Sequence, residues 1–99
     1  MKVYISGKIS GLKKEDYTCK FNDAKYYLEK QGYEVISPIE NGLPPESEWD
    51  VHMKKDIQLM LDCDMIVLLP CWCYSNGAVI ERNLAISLGM KVKNLIDVI

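Results

Sequence analysis

The chemistry this sequence can offer is concentrated in Glu81 and the residues that would be folded around it. Glu81 closes the segment Ser75-Asn76-Gly77-Ala78-Val79-Ile80-Glu81. A helix starting near Asn76 puts Glu81 just beyond its first turn, on the face shared with Gly77, Ala78, Ala85 and Leu88. That face is small and apolar, so it should pack toward a sheet, where a carboxylate is costly unless it is paired or put to use. The competing role, an acid complementing the helix dipole, would sit more naturally on the solvent face. Asp56 follows His52 by one helical turn and lies beside the apolar stripe of its helix. A surface ion pair with Lys54 or Lys55 is its alternative. Asp64, just before an apolar strand, reads as a turn or helix-end residue but competes with Asp56 for the role of an acid. Asp62 reads as solvated.

Anion-binding backbone is the second chemical signal. Ser6-Gly7-Lys8-Ile9-Ser10-Gly11 places glycines and hydroxyls directly after a strand, and Ser75 with Gly77 makes a small-residue turn at a helix N-terminus. Free N–H groups at such places cradle phosphates. Neither segment is a P-loop or a dinucleotide fingerprint, and ordinary turn chemistry is the alternative for both. Trp72 and Tyr74 fall in a loop where they can stack on a planar base or pack in an oligomer interface. Trp49 fits a core stripe.

These residues need a frame to bring them together. Lys2 to Ser6 reads as a first strand, followed by a glycine-punctuated loop over Gly7 to Glu15. Asp16 is a candidate N-cap for a helix carrying Tyr17, Phe21, Ala24 and Leu28 at helical spacing and stopped by Gly32. Tyr33 to Ile36 is a second strand. The long Pro- and Gly-containing loop Ser37 to Ser47 is of a length that is often functional. Ser47 or Glu48 opens a second helix with the stripe Trp49, Met53, Ile57, Met60 and Leu61. Met65 to Leu69 is continuously apolar, as a central parallel strand should be. Asn76 is a candidate cap for a third helix running to Leu88, and Val92 to Ile96 is a last strand. The order β-α-β-α-β-α-β predicts a small, doubly wound, flavodoxin- or Rossmann-like α/β domain spanning 1–99, with about four parallel strands and about three helices. Ligands of such sheets sit outside the carboxyl ends of the strands, at the switch point, where the loops after Ser6, Ile36 and Leu69 converge.

Composition narrows the class. The chain has 99 residues, 48% hydrophobic and 26% charged, with a net charge of -2 and basic residues scattered along it, which gives no footprint for a nucleic-acid polymer. No apolar run is long enough for a membrane span, and the opening MKVYISG does not read as a signal peptide. Cys19, Cys63, Cys71 and Cys73 lack the spacing of a disulfide framework or a zinc site, and His52 is the only histidine. The expectation is a cytoplasmic protein with reduced thiols and no metal or cofactor.

Taken together, Tyr4-Ile5-Ser6-Gly7, Asp56-Ile57, Cys63-Asp64 before an apolar strand, and Ser75-x-Gly-Ala-x-x-Glu81 resemble the nucleoside 2-deoxyribosyltransferase superfamily, in particular a small bacterial and phage branch, over Met1 to Lys91. The resemblance implies that Glu81 is a nucleophile attacking the anomeric carbon, that Asp56 handles the base, and that Tyr4 lies beside the nucleophile. Members acting on free nucleosides usually carry aspartate where this chain has Ser75. The branch similar to deoxynucleoside 5′-monophosphate N-glycosidases carries serine there, which holds the phosphate. Ser6, Gly7, Lys8, Gly11, Ser75, Gly77 and Trp72 are then the expected substrate-binding residues, and the partner is a nucleoside or nucleotide. A homodimer or higher homo-oligomer is also implied. Members are usually longer, with a C-terminal segment completing a neighbour's site, so a chain ending at Ile99 would lack or replace that contribution. A non-catalytic nucleotide-binding module using the same crevice is the alternative.

Overall fold

The computed structural model describes residues 1–98; Ile99, the end of the expected domain, lies outside them. Its elements follow in the order β1 (Lys2–Ser6), α1 (Lys14–Lys30), β2 (Glu34–Ile36), α2 (Trp49–Leu61), β3 (Met65–Leu68), α3 (Asn76–Ser87) and β4 (Lys91–Asn94). Single 3₁₀ turns occupy Pro38–Glu40, Trp72–Tyr74 and Leu95–Asp97. The strands form one parallel sheet in the order β2-β1-β3-β4. The chain winds outward from β1 to β2, then crosses back over β1 to β3. That reversal puts the switch point between β1 and β3, where Tyr4 is level with Ile66 and Ser6 with Leu68.

Reversal of direction also fixes the layers. Right-handed crossovers put α1 on one face of the sheet and α2 with α3 on the other. Side chains alternate along each strand. Val3 and Ile5 therefore join Phe21, Ala24 and Leu28 of α1, with Val35, Met65, Val67 and Leu69, in one apolar cluster. Tyr4, Ile66 and Leu68 face the other way and pack with Met60 of α2 and Ala85 of α3. The doubly wound α/β fold expected from the sequence is the fold observed.

Boundaries shift locally. α1 starts at Lys14 behind Lys13, so Asp16 is not its cap but an acid in its first turn, complementing the dipole there. The cap of α3 is Ser75, whose Oγ accepts from the Ala78 N–H at 3.2 Å, and not Asn76, which is already helical. β4 ends at Asn94, because Leu95 and Ile96 turn into 3₁₀ geometry. Gly32 stops α1 in the left-handed region at φ 93°, as expected of a C′ glycine. Gly7 is required for a different reason: a Cβ there would lie 2.8 Å from Leu69 Cδ1. Among the described residues no helix is long and apolar enough to cross a membrane.

Candidate functional site

Period-two alternation aims Tyr4 and Ser6 at the same side of β1, and both meet α3 there. The Tyr4 hydroxyl donates to Glu81 Oε2 at 2.7 Å, and the Ser6 hydroxyl donates to Glu81 Oε1, also at 2.7 Å. Each carboxylate oxygen is thus held by a buried donor. Glu81 is only 4% exposed. Burial raises its pKa to about 7, against the opposing pull of the Ser6 and Tyr4 hydrogen bonds, and Asp56 pushes in the same direction as burial. The Tyr4 phenol is raised well above its usual value, first by burial and then by the charges of Glu81 and Asp56, so it stays a donor.

Asp56 is also buried, and the alternative open to it, a surface ion pair with Lys54 or Lys55, does not form. Its partner is Asn41, whose Nδ2 donates to Asp56 Oδ1 at 2.9 Å. Burial raises the Asp56 pKa to about 6, with Asn41 and His52 opposing the rise. Asn41 comes from the long loop after β2, and its Oδ1 accepts the Leu43 N–H at 3.0 Å. It was not legible as a site residue, although the loop was; an Asn-Gly pair inside a long loop signals such a side-chain-closed turn. Asp64 accepts the Lys2 N–H at 2.9 Å and tethers β3 to the start of β1, a structural role.

Glu81, Asp56 and Tyr4 line one crevice of about 530 Å³ at the carboxyl ends of the strands. Gly7, Gly11, Ser75 and Gly77 line it too, along with Asn41, His52 and Trp49. An adjoining hollow of about 370 Å³ shares Ser10, Trp49, Ser75 and Gly77 with it and adds Lys8, Tyr74 and Asn76. The Lys8 ammonium donates to the Tyr74 carbonyl at 3.1 Å, beside the N-terminus of α3. Ser6 does not line the crevice; it lies behind Glu81 as a fully buried support.

The tryptophans exchange their expected places. Trp72 lines neither hollow; it packs against the Tyr4 and Met60 cluster, with the Arg82 guanidinium 5.0 Å from its ring centroid. Trp49, read as core, is 48% exposed at the crevice mouth. Trp49 is the first residue of α2, so it stands at the crevice end of the helix and not in its packed middle. All four cysteines are free. Among the described residues no group of three or more His, Cys, Asp or Glu is arranged to hold a metal ion.

A doubly wound sheet with buried acids at its switch point defines the class of this protein. The chain belongs to the family described as domain of unknown function DUF4406, whose model matches residues 1–94. Curated proteins offer no significant match. Among solved structures it is similar to a 2-deoxyribosyltransferase from Bacillus psychrosaccharolyticus, characterised as a biocatalyst for nucleoside synthesis, with 23% identity and a TM-score of 0.67 over 95% of this chain and 71% of that one. It is likewise similar to a 2-deoxyribosyltransferase from Leishmania mexicana, with 17% identity and a TM-score of 0.69 over 94% of this chain and 62% of that one. At these identities the likeness establishes the fold.

Proposed function

We propose that this protein cleaves the N-glycosidic bond of a nucleoside or nucleoside 5′-monophosphate, as an N-glycosidase or a deoxyribosyltransferase. The observation that carries the reading is a buried Glu81, held on both oxygens by Tyr4 and Ser6, in one crevice with Asp56. The similarity in fold to 2-deoxyribosyltransferases adds to it. In the step envisaged, a Glu81 oxygen bonds to the anomeric carbon as the C–N bond breaks. The bonding electrons leave on the base, and Asp56 in its protonated form supplies the proton the base needs. Water or a second base then displaces the sugar from Glu81. The raised pKa of Asp56 suits a proton donor. The α3 N-terminus at Ser75 and Gly77, with Lys8 beside it, suits a 5′-phosphate.

Base release from a panel of deoxy- and ribonucleoside 5′-monophosphates tests the reading, with wild type beside Glu81→Ala. Release that disappears in the variant supports it. No release from wild type overturns it, and thermal stabilisation by the same nucleotides would then mark a binding module. This reading carries with it a homo-oligomeric, cytoplasmic protein; a strictly monomeric elution at all concentrations counts against the first of these.

A further inference from the structure

His52 and Asn41 lie in the crevice without a part in the chemistry just described. Asn41 makes three hydrogen-bond contacts that fix its own orientation. Its Oδ1 is taken by the Leu43 N–H at 3.0 Å, so Nδ2 must face the other two partners. One Nδ2 proton goes to Asp56 Oδ1 at 2.9 Å, and the other points at His52 Nδ1, 3.0 Å away. An amide nitrogen cannot accept a hydrogen bond. Nδ1 of a neutral His52 is therefore the acceptor, and the ring proton sits on Nε2. In an imidazolium both ring nitrogens carry protons. The contact disfavours both forms that carry Nδ1–H, since that proton would face the amide's own, and of these the neutral one, with a bare Nε2, is the only form in which Nε2 would accept.

We infer that Asn41 is a positioning residue that fixes His52 as a hydrogen-bond donor toward the ligand, and that the crevice selects nucleobases presenting a carbonyl there over those presenting an amino group. The inference deepens the proposed function, since it takes the ligand to be a nucleobase derivative. His52 and Asp56 are one turn apart on α2 and both line the crevice, so they address adjacent edges of one planar base. Asn41 occupies Asp56 Oδ1 and leaves Oδ2 for that base. A 6-oxopurine or 4-oxopyrimidine offers His52 an acceptor. The corresponding 6-amino or 4-amino base sets donor against donor, and a buried mismatch of that kind is strongly rejected.

The test compares matched pairs on the full chain: the 5′-monophosphates of deoxyinosine against deoxyadenosine, and of deoxyuridine against deoxycytidine. Ratios of kcat/KM, or of Kd by thermal shift, should favour the oxo base by about tenfold or more in each pair. His52→Gln, whose amide can present either group, should bring both ratios toward one, and Asn41→Ala should lower them. His52 is the only histidine, so ¹⁵N spectra of the ring read its state directly. The neutral ring of wild type should carry its proton on Nε2, with a hydrogen-bonded Nδ1 whose resonance moves in Asn41→Ala. A ring protonated on Nδ1, a preference for amino bases, or ratios unchanged by His52→Gln overturns the inference. Oxo preference in binding without any base release overturns the proposed activity and leaves the inference standing.

Discussion

Toward α1 the sheet presents Val3, Ile5, Val35, Met65 and Val67, and among the described residues neither of the two buried acids, Asp56 and Glu81, belongs to this cluster. Toward α2 and α3 the same strands present Tyr4, Ser6, Ile66 and Leu68, and there Asp56 and Glu81 are buried. One residue of register separates the two faces, because successive side chains on a strand point to opposite sides. The buried part of the α1 face gains its stability from apolar burial, with polar contacts such as Lys25 to Glu40 only at its rim. The other face gives up part of that stability to keep two acids out of water, a trade that fits the chemistry proposed for them. The division can be broken from either side.

The largest effect should come from Glu81→Gln. On the proposed reading it lowers base release by at least about a thousandfold, since an amide is no nucleophile. Its effect on stability should have the opposite sign. The unfolded carboxyl ionises near its ordinary value of 4.5, the folded one near about 7. Between those values the folded state binds a proton the unfolded state has lost, so stability falls as pH rises through that window. At pH 8 the neutral glutamine should stabilise the fold by on the order of 2–3 kcal/mol, and at pH 4 by little. Thermal unfolding of both proteins at the two pH values measures this. A difference in Tm that does not change between pH 4 and pH 8 would show that Glu81 is not a buried strained acid.

The α1 face should answer in the other sense. Leu28 is fully buried in its cluster, and Leu28→Ala should cost about 3 kcal/mol, a large share of the stability of a domain this small. Denaturant unfolding gives the loss. Below the new melting point the pH dependence of activity should match that of wild type, because Leu28 belongs to the α1-side cluster while Glu81 and Asp56 are buried on the other side of the sheet. A shifted profile would mean the two faces are coupled through the sheet.

Tyr4→Phe probes the acid face more gently. With Glu81 near about 7 and Asp56 near about 6, the productive state (Glu81 ionised, Asp56 protonated) is a minority form. Its population, and so kcat/KM, should peak between about pH 6 and 7, with limbs that belong to the pair and not to either acid alone. Removing the phenol removes a hydrogen bond that lowers the Glu81 pKa. The alkaline limb should move to higher pH and the maximum should fall by about tenfold. An unmoved limb would show that the phenol does not act on Glu81.

Much of this division is legible in the sequence, and the reason is local. The strand-forming run Lys2 to Ser6, the helical spacing of Phe21, Ala24 and Leu28, and the continuous apolar run of β3 are each set by near neighbours, and together they fix the layers. Glu81 stands out because a carboxylate on a Gly/Ala face is a local contradiction. What the sequence hides depends on contacts across long stretches of chain. Asn41 becomes a site residue only because the loop after β2 folds back onto α2. Trp72 packs on the cluster between the sheet and α3 while Trp49 opens on the crevice, and local spacing does not carry that information. Ser6 was legible as a loop residue near a ligand; its role as a support for Glu81 needs α3 to lie across β1.

The smallest effects come from placing the same methyl group on the two faces. Gly7→Ala would set a Cβ 2.8 Å from Leu69 Cδ1 and 3.0 Å from Leu69 Cβ. Leu69 is fully buried in the α1-side cluster, and its Cβ is tied to the backbone, so the clash has no cheap relief and should cost about 1–3 kcal/mol. Gly77→Ala would set a Cβ 2.9 Å from Met53 Sδ. A methionine sulfur lies near the end of a flexible chain, and Met53 lines the open crevice, so the side chain can swing away for less than about 1 kcal/mol. The cost of Gly77→Ala should fall on the ligand instead. Met53 follows His52 on α2 and would be pushed into the space the ligand needs, so KM should rise by a few-fold while kcat holds. Unfolding midpoints and steady-state kinetics of the two variants separate these outcomes. A Gly77→Ala protein destabilised as much as Gly7→Ala would mean that the crevice wall is as tightly packed as the α1-side core, and that the acid face is not the looser of the two.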